Sequence, residues 1–262
     1  DYLPVDRNGM VDPADVEGCL RDDTAMVSVV YANNEIGTIA PIAAIGAICR
    51  ERGVIFHTDA VQAAAHLNMD VLRDKVDLMA IGAHKFYGPK GIGALYIKNG
   101  TPFISTMTGG NQEGGLRAGT QNVPYIVGLA EALHLAQCNH EERLQGNLAW
   151  RDQIIQGVLS RIPSARLTGH PIQRLPNHAS FVFEKVDGNT LLMLLDQAGF
   201  ACSSGSACKV GAPKPSEVLE AIGFSRAWAM GSLRVTTGCN TRQRDIDRFL
   251  EILPGLTEKS RL

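Results

Sequence analysis

Apolar residues along this chain follow two rhythms: short β-branched runs that stop at polar or glycine-rich turns, and longer stretches with helical spacing. Thr24 to Ala32 is a run of the first kind, broken at Asn33-Asn34-Glu35-Ile36-Gly37, and it predicts a strand feeding a turn. From Pro41 to Arg52, Ile42, Ile45, Ile48 and Cys49 keep helical spacing, with Pro41 suited to a first turn and Gly53 to a stop. Val54 to Asp59 is a second strand, ending in a carboxylate. Strand, helix and strand in this order predict a crossover unit of a parallel sheet. Val61 to His66 reads as a short helical piece, Val76 to Ile81 as a return to the sheet and Gly93 to Ile97 as the next strand.

A long helical pattern begins near Pro124, runs through Ile126, Leu129, Ala130, Leu133 and Ala136, and continues toward Leu159. It predicts a spine joining two domains, one over 1–139 and a smaller α+β one over 140–262. In the second, Ala179 to Glu184 and Ser232 to Thr236 predict strands, and Asn189 to Gln197 predicts a helix. Thr241 to Leu253 predicts an amphipathic terminal helix with Ile246, Phe249 and Leu250 on one face. The fold class is α/β, a mostly parallel sheet with helices on both faces, plus the smaller unit.

Composition narrows this little. The 262 residues are 45% hydrophobic and 20% charged with a formal net charge of -2, which gives no electrostatic reason to expect nucleic acid or an acidic membrane as partner. No apolar run is long enough to span a membrane, and no secretory signal is visible. The six cysteines (Cys19, Cys49, Cys138, Cys202, Cys208 and Cys239) form no Cys-x-x-Cys pair, so neither zinc nor another metal is expected. They read as free thiols of a reducing cytosol, most of them small core residues.

Chemistry concentrates at the ends of predicted strands, where open α/β sheets bind ligands. Lys85 lies between the run Val76 to Ile81 and the turn Gly88-Pro89-Lys90-Gly91. A partly desolvated lysine there is a nucleophilic amine, the requirement for a Schiff base with an aldehyde cofactor. Asp59 suits either a cap on the helix that follows it or a partner for a protonated pyridine nitrogen. Gln62 is three residues on, and His57 shares Asp59's side of the strand. Gly109 to Thr120 is a glycine-dense loop, open to reading as a flexible connector or as backbone that approaches a ligand closely. Cys208, among small residues and beside Lys209, suits a reactive thiol on a loop, whereas Cys202 reads as inert.

Taken together, five stretches resemble the cysteine desulfurases, pyridoxal-phosphate enzymes of the class V aminotransferase group, across nearly the whole chain. They are Asn33 to Gly37, His57-Thr58-Asp59-Ala60-Val61-Gln62, His84 to Gly93, Leu116 to Thr120 and Ser203-Ser204-Gly205-Ser206-Ala207-Cys208. The resemblance implies a fold-type-I pyridoxal-phosphate transferase that converts L-cysteine to L-alanine and passes the sulfur as a persulfide to an acceptor. The acceptor would serve iron–sulfur cluster, thio-cofactor or tRNA biosynthesis, through a scaffold or other acceptor protein. The pyridoxal 5'-phosphate would be held by Lys85 as a Schiff base, Asp59 at the pyridine nitrogen, Gln62 at the ring oxygen and His84 at the phosphate. Asn34 would lie beside cofactor and substrate, Arg234 would grip the substrate carboxylate, and Cys208 would carry the sulfur on a long mobile loop. Thr120 would reach the phosphate of a second subunit, which implies a homodimer in the cytoplasm.

Two departures from the family pattern stand in the chain. Gly82 replaces a serine common three positions before the lysine. The family's upstream segment of roughly a hundred residues, with its Gly-Ala-Thr phosphate loop and ring-stacking histidine, is not found, so a fragment of a longer enzyme is expected. A selenocysteine lyase, another class V aminotransferase-like enzyme and a non-catalytic remnant are the competing readings.

Overall fold

The structure, a computed structural model, describes residues 1–138, 140–205 and 214–262. They form two compact units, one comprising Leu20–Tyr31 and Ile42–His140, the other Asp1–Cys19, Ala32–Pro41 and Glu141–Leu262. The chain crosses from one unit to the other for the last time between His140 and Glu141. The other unit also takes in residues 1–19 and 32–41, which a cut after residue 139 assigns to the first domain.

The sheet of the first unit contains β1 (Met26–Val30), β2 (Ile55–Asp59), β3 (Leu78–Gly82) and β4 (Gly93–Ile97), in that spatial order. β1 pairs with β2 and β2 with β3 in parallel, and β4 closes against β3 antiparallel. Helix α2 (Ile42–Glu51) makes the crossover, burying Ile42, Ile45 and Cys49 on the spacing that predicted it. β1 alternates, with Val27 and Val29 buried and Met26, Ser28 and Val30 exposed, as a strand's period of two requires. Gly93 is needed where β4 meets β3, because an added Cβ would stand 2.7 Å from the carbonyl oxygen of Ile81.

Residues 61–66 are not a helix. Ala63 and Ala64 donate to the Ala60 carbonyl, and His66 and Leu67 to that of Ala63, so the stretch is a chain of turns. Its alanines, Ala63 to Ala65, are buried, and burial of this knot outweighs helical propensity over so short a segment. Helix α3 (Val123–Cys138) completes the unit with Ala136 in the cluster that holds Ala64, Ala83 and Phe86.

The second unit begins with α1 (Pro13–Cys19) and continues from α4 (His140–Arg161). Its antiparallel sheet runs β5 (Ala165–Leu167), β6 (His178–Phe183), β7 (Ser232–Thr236). β6 is central and buried along its whole length. Ala179, Phe181 and Phe183 join one core cluster with Leu191, Leu195 and Phe249, while Val182 joins another with Ile36, Leu219 and Ile222. The first cluster draws on α5 (Gly188–Gln197) and the second on α6 (Glu217–Ala221) and α7 (Arg226–Ala229).

The terminal helix α8 (Gln243–Lys259) buries Ile246, Phe249, Leu250 and Leu253. It outlasts its predicted end at Leu253 although Pro254 lies inside it. Proline has no N–H for the carbonyl four residues back. Here the Arg161 guanidinium donates to the Leu250 carbonyl at 2.7 Å and replaces that bond. No helix among the described residues is long and apolar enough to cross a membrane.

Candidate active site

In the first unit the parallel pairing brings the C-terminal ends of β2 and β3 side by side, with Asp59 in register with Ala80. β3 then runs into a 3-10 turn, Ala83–Phe86, that ends on Tyr87 at φ 67°. Ala83 and Phe86, three apart, are buried in the alanine-rich cluster, and the intervening His84 and Lys85 are exposed. The Ala83 N–H donates to the Ile92 carbonyl and the Gly88 N–H to that of Ala83, so the turn is tied from both sides. Lys85 thus stands on a fixed base at a strand end, as expected. Its amine is exposed rather than partly desolvated, because only the residues flanking His84 and Lys85 face the core.

Asp59 is exposed, and its Oδ1 accepts from the Val61 N–H at 2.9 Å. The carboxylate therefore caps the turns that replace the expected helix. It uses one oxygen, and Oδ2 has no partner among the described residues. His57, half-buried beside it in the strand, shares a 2.7 Å hydrogen bond through Nδ1 with Ser28 Oγ, its register partner on β1. Gln62 is half-buried in the turns that follow.

The glycine-dense loop is not a loose connector. Arg117 donates to Glu113 Oε1 at 2.6 Å and to the carbonyls of Ala118 and Gly119, and Gln112 bridges Arg117 through the backbone. So held, exposed Thr120 lines a cleft of about 600 Å³ with Leu95, Phe103, Arg117 and Ile126.

Asn34 and Arg234 belong to the second unit, and the structure brings them together. Asn33 Oδ1 accepts from the N–H groups of Glu35 and Ile36, and Gly37 N–H donates to the Asn33 carbonyl, which folds 33–38 into a tight turn. Arg234, on β7, donates from Nη1 to the backbone carbonyl of Asn34 at 2.7 Å. No other side-chain hydrogen bond of Arg234 is found among the described residues, so its other donors are available to a ligand. Gly37 has φ +78°, and a Cβ there would meet His178 Nδ1 at 2.6 Å. Positive φ alone costs a non-glycine residue about 1–3 kcal/mol. Gly37→Ala is accordingly expected to lower the thermal midpoint by roughly 5–10 °C in a melting curve.

Cys208 lies outside the described residues. Both flanks of 206–213 are fixed within the second unit: Ser203 pairs with Arg234 through the backbone, the Gly205 N–H donates to Ser232 Oγ at 3.2 Å, and Ser216 Oγ donates to Glu35 Oε2. Cys202 is half-buried against the larger core cluster, and burial pushes its thiol up to about 11. The expectation that most cysteines are core residues is not met. Cys49 is buried, with its thiol raised to about 11 by burial and the Asp77 charge, but Cys19, Cys138 and Cys239 are exposed. Cys19 and Cys138 end helices and Cys239 follows β7, all positions that periodicity does not place in a core.

Sequence reasoning missed Arg174 and His178. Arg174 is buried and donates to the carbonyls of Ile36, Thr168 and His178. Burial, with Arg151 nearby, brings its guanidinium down to about 10. His178 donates from Nε2 to the Asn34 carbonyl at 3.2 Å. Burial, with Arg174 and Arg234 near, holds its imidazole at about 3 and therefore neutral. The available signal was a histidine opening a largely apolar strand.

The family described as "Aminotransferase class-V" matches residues 1–249. Among curated proteins, the chain is similar to a cysteine desulfurase IscS of Methanosarcina thermophila, 46% identical over 260 residues, 99% of this chain and 64% of that protein. A cysteine desulfurase IscS of Clostridium botulinum is 46% identical over 262 residues, covering 66% of that protein. The chain thus spans 64–66% of the length of these relatives. Among solved structures, a NifS-like protein aligns at a TM-score of 0.90 and 33% identity, over 99% of this chain and 68% of that one. SspA in complex with cysteine aligns at 0.76 and 31%, over 90% and 65%.

Proposed function

This chain belongs to the class-V aminotransferase family, and from that premise we propose that, within the whole protein, it carries out cysteine desulfuration: L-cysteine to L-alanine, with the sulfur passed on as a persulfide. The observation that carries this reading is 46% identity across 99% of the chain to proteins named cysteine desulfurase. The structural likeness to SspA, which was solved in complex with cysteine, supports the same substrate.

The residues present fit pyridoxal phosphate, the family's cofactor. An exposed primary amine, Lys85, and a carboxylate with one oxygen uncommitted, Asp59, stand at the ends of neighbouring strands. An aldehyde and a protonated pyridine need that pair. Gln62 and His84 would add donors to the ring oxygen and the phosphate, and Thr120 would serve the phosphate of a second subunit. When bound, the cofactor supplies an electron sink for the substrate's Cα.

The chain's own groups do the remainder. Arg234, held by the Asn34 carbonyl, receives the substrate carboxylate, a bidentate task suited to a planar guanidinium. Lys85 Nζ takes the Cα proton as general base. The Cys208 thiolate attacks the substrate sulfur, and a sulfur–sulfur bond forms as the carbon–sulfur bond breaks. The electron pair of that bond stays with the carbon skeleton, whose Cβ takes a proton from solvent and whose Cα regains the proton held by Lys85 Nζ, and it leaves as L-alanine. An acceptor thiol or iron–sulfur scaffold protein then collects the sulfur, in a cytoplasmic homodimer. The division of labour in this proposal gives 1–139 the cofactor and 140–262 the cysteine loop. The test is sulfide and L-alanine release from L-cysteine by the cofactor-loaded whole protein; release of neither overturns the reading.

Gly82 offers a milder test. Its backbone is ordinary extended chain at φ -129°, and a Cβ would make normal contacts, the nearest 3.5 Å from His84 Cε1. Gly82→Ser is expected to fold like the wild type and to hold pyridoxal phosphate several-fold more tightly, since a hydroxyl donor to a dianion is a charge-assisted bond. Equilibrium dialysis reads the change, and weaker binding would show that the glycine is required.

A further inference from the structure

The backbone carbonyl of Asn34 is a junction with two donors, Arg234 Nη1 at 2.7 Å and His178 Nε2 at 3.2 Å. A carbonyl only accepts, so Nε2 carries the hydrogen of the neutral ring. Nδ1 is then an acceptor, and it is buried with no hydrogen-bond partner among the described residues. Burying an unsatisfied polar atom is costly, and an apolar side chain would fill the start of β6 without that cost. Three further contacts hold the residue and the turn it faces. Gly37 packs so close that no Cβ fits beside Nδ1, the His178 carbonyl accepts from Arg174 Nε at 3.2 Å, and Arg174 also holds the Ile36 carbonyl at 2.9 Å. The 33–38 turn is therefore gripped at Asn34, Ile36 and Gly37 by residues from β6 and the loop before it.

We propose that His178 is a positioning residue for substrate recognition: its Nε2–H fixes the Asn34 carbonyl and, through it, the attitude in which Arg234 presents its uncommitted donors to a carboxylate. Among the described residues the Arg234 side chain makes one hydrogen bond, so the direction of its fork depends on where that carbonyl points. The inference rests on the proposed role of Arg234 and adds a residue that touches neither substrate nor cofactor. Two cations flank the site, Arg174 and Arg234, and burial with them keeps the ring neutral, so His178 acts as a fixed dipole rather than a third charge.

The test uses His178→Gln, whose amide can place an Nε2–H where the imidazole has one, and His178→Met, of similar length with no donor. Both are made in the cofactor-loaded whole protein. His178→Met is expected to raise KM for L-cysteine about ten-fold with kcat within about two-fold, the signature of lost ground-state and transition-state binding in equal measure. His178→Gln is expected to stay within about three-fold of the wild-type KM. A purely structural role would lower the thermal midpoint in both and leave KM alone. Wild-type KM in the Met protein, or equal changes in the two, overturns the inference. If the Met protein does not fold, His178→Asn takes its place, since its shorter amide cannot reach the Asn34 carbonyl; Asn and Gln proteins with the same KM then overturn it. A wild-type protein without desulfurase activity sinks the functional reading instead, which separates the two failures.

Discussion

Lys85→Ala is expected to abolish L-cysteine turnover, by about 10³-fold or more, because in the proposed reaction a single amine serves both as the cofactor's attachment and as the general base at Cα. The structure gives this residue a fixed base, with Ala83 and Phe86 buried on either side of the exposed pair His84 and Lys85. The substitution therefore removes an exposed side chain and leaves the turn's anchors untouched. Folding should be unaffected, with a thermal midpoint within a few degrees of the wild type, as for surface changes that cost within about 0.5 kcal/mol. Borohydride reduction followed by peptide mass measurement is the direct check. Wild-type protein should carry reduced cofactor on the peptide containing Lys85, and the Ala protein on none. Cofactor trapped in the Ala protein would mean that another amine does the work.

The second large effect is expected from the cysteines, and it separates Cys208 from Cys202. Cys208→Ser should retain cofactor yet lose desulfuration by about 10²-fold or more, since a hydroxyl is a far poorer nucleophile toward sulfur than a thiolate. Cys202 makes the control. Its thiol, raised to about 11 by burial, is almost wholly protonated at neutral pH and packs against the large core cluster. Cys202→Ser should keep the wild-type rate while losing roughly 1 kcal/mol of stability, the cost of placing a hydroxyl among apolar neighbours. Persulfide mapping after L-cysteine treatment reads the assignment. Sulfur found on Cys202, with Cys208→Ser fully active, would identify the wrong thiol as carrier.

Much of this was legible in the chain because it depends on local order. Periodicity of two and of 3.6 placed the strands ending at Asp59 and before Lys85, the crossover helix and the apolar face of α8, since each reports which side of one element is buried. The five motif stretches carried the family resemblance for the same reason. A lysine after a strand, a carboxylate at a strand end and a cysteine among small residues are all recognised from their neighbours in the chain.

What the tertiary structure alone decided lies in contacts between residues far apart in the chain. The terminal helix survives Pro254 because Arg161, 89 residues from Leu250, supplies the missing donor. No reading of the segment around Pro254 could find that bond. The alanine-rich stretch after Asp59 is held as turns by burial, although its composition favours a helix. The proposed carboxylate grip is more distant still: Arg234 and His178 meet one carbonyl, at Asn34, across separations of 200 and 144 residues. A backbone carbonyl carries no side-chain signature, so its partners are invisible in sequence until the chain is folded. The sequence determined which groups can do chemistry, and the fold decided which of them are held, because orientation comes from long-range hydrogen bonds and packing that no local pattern encodes.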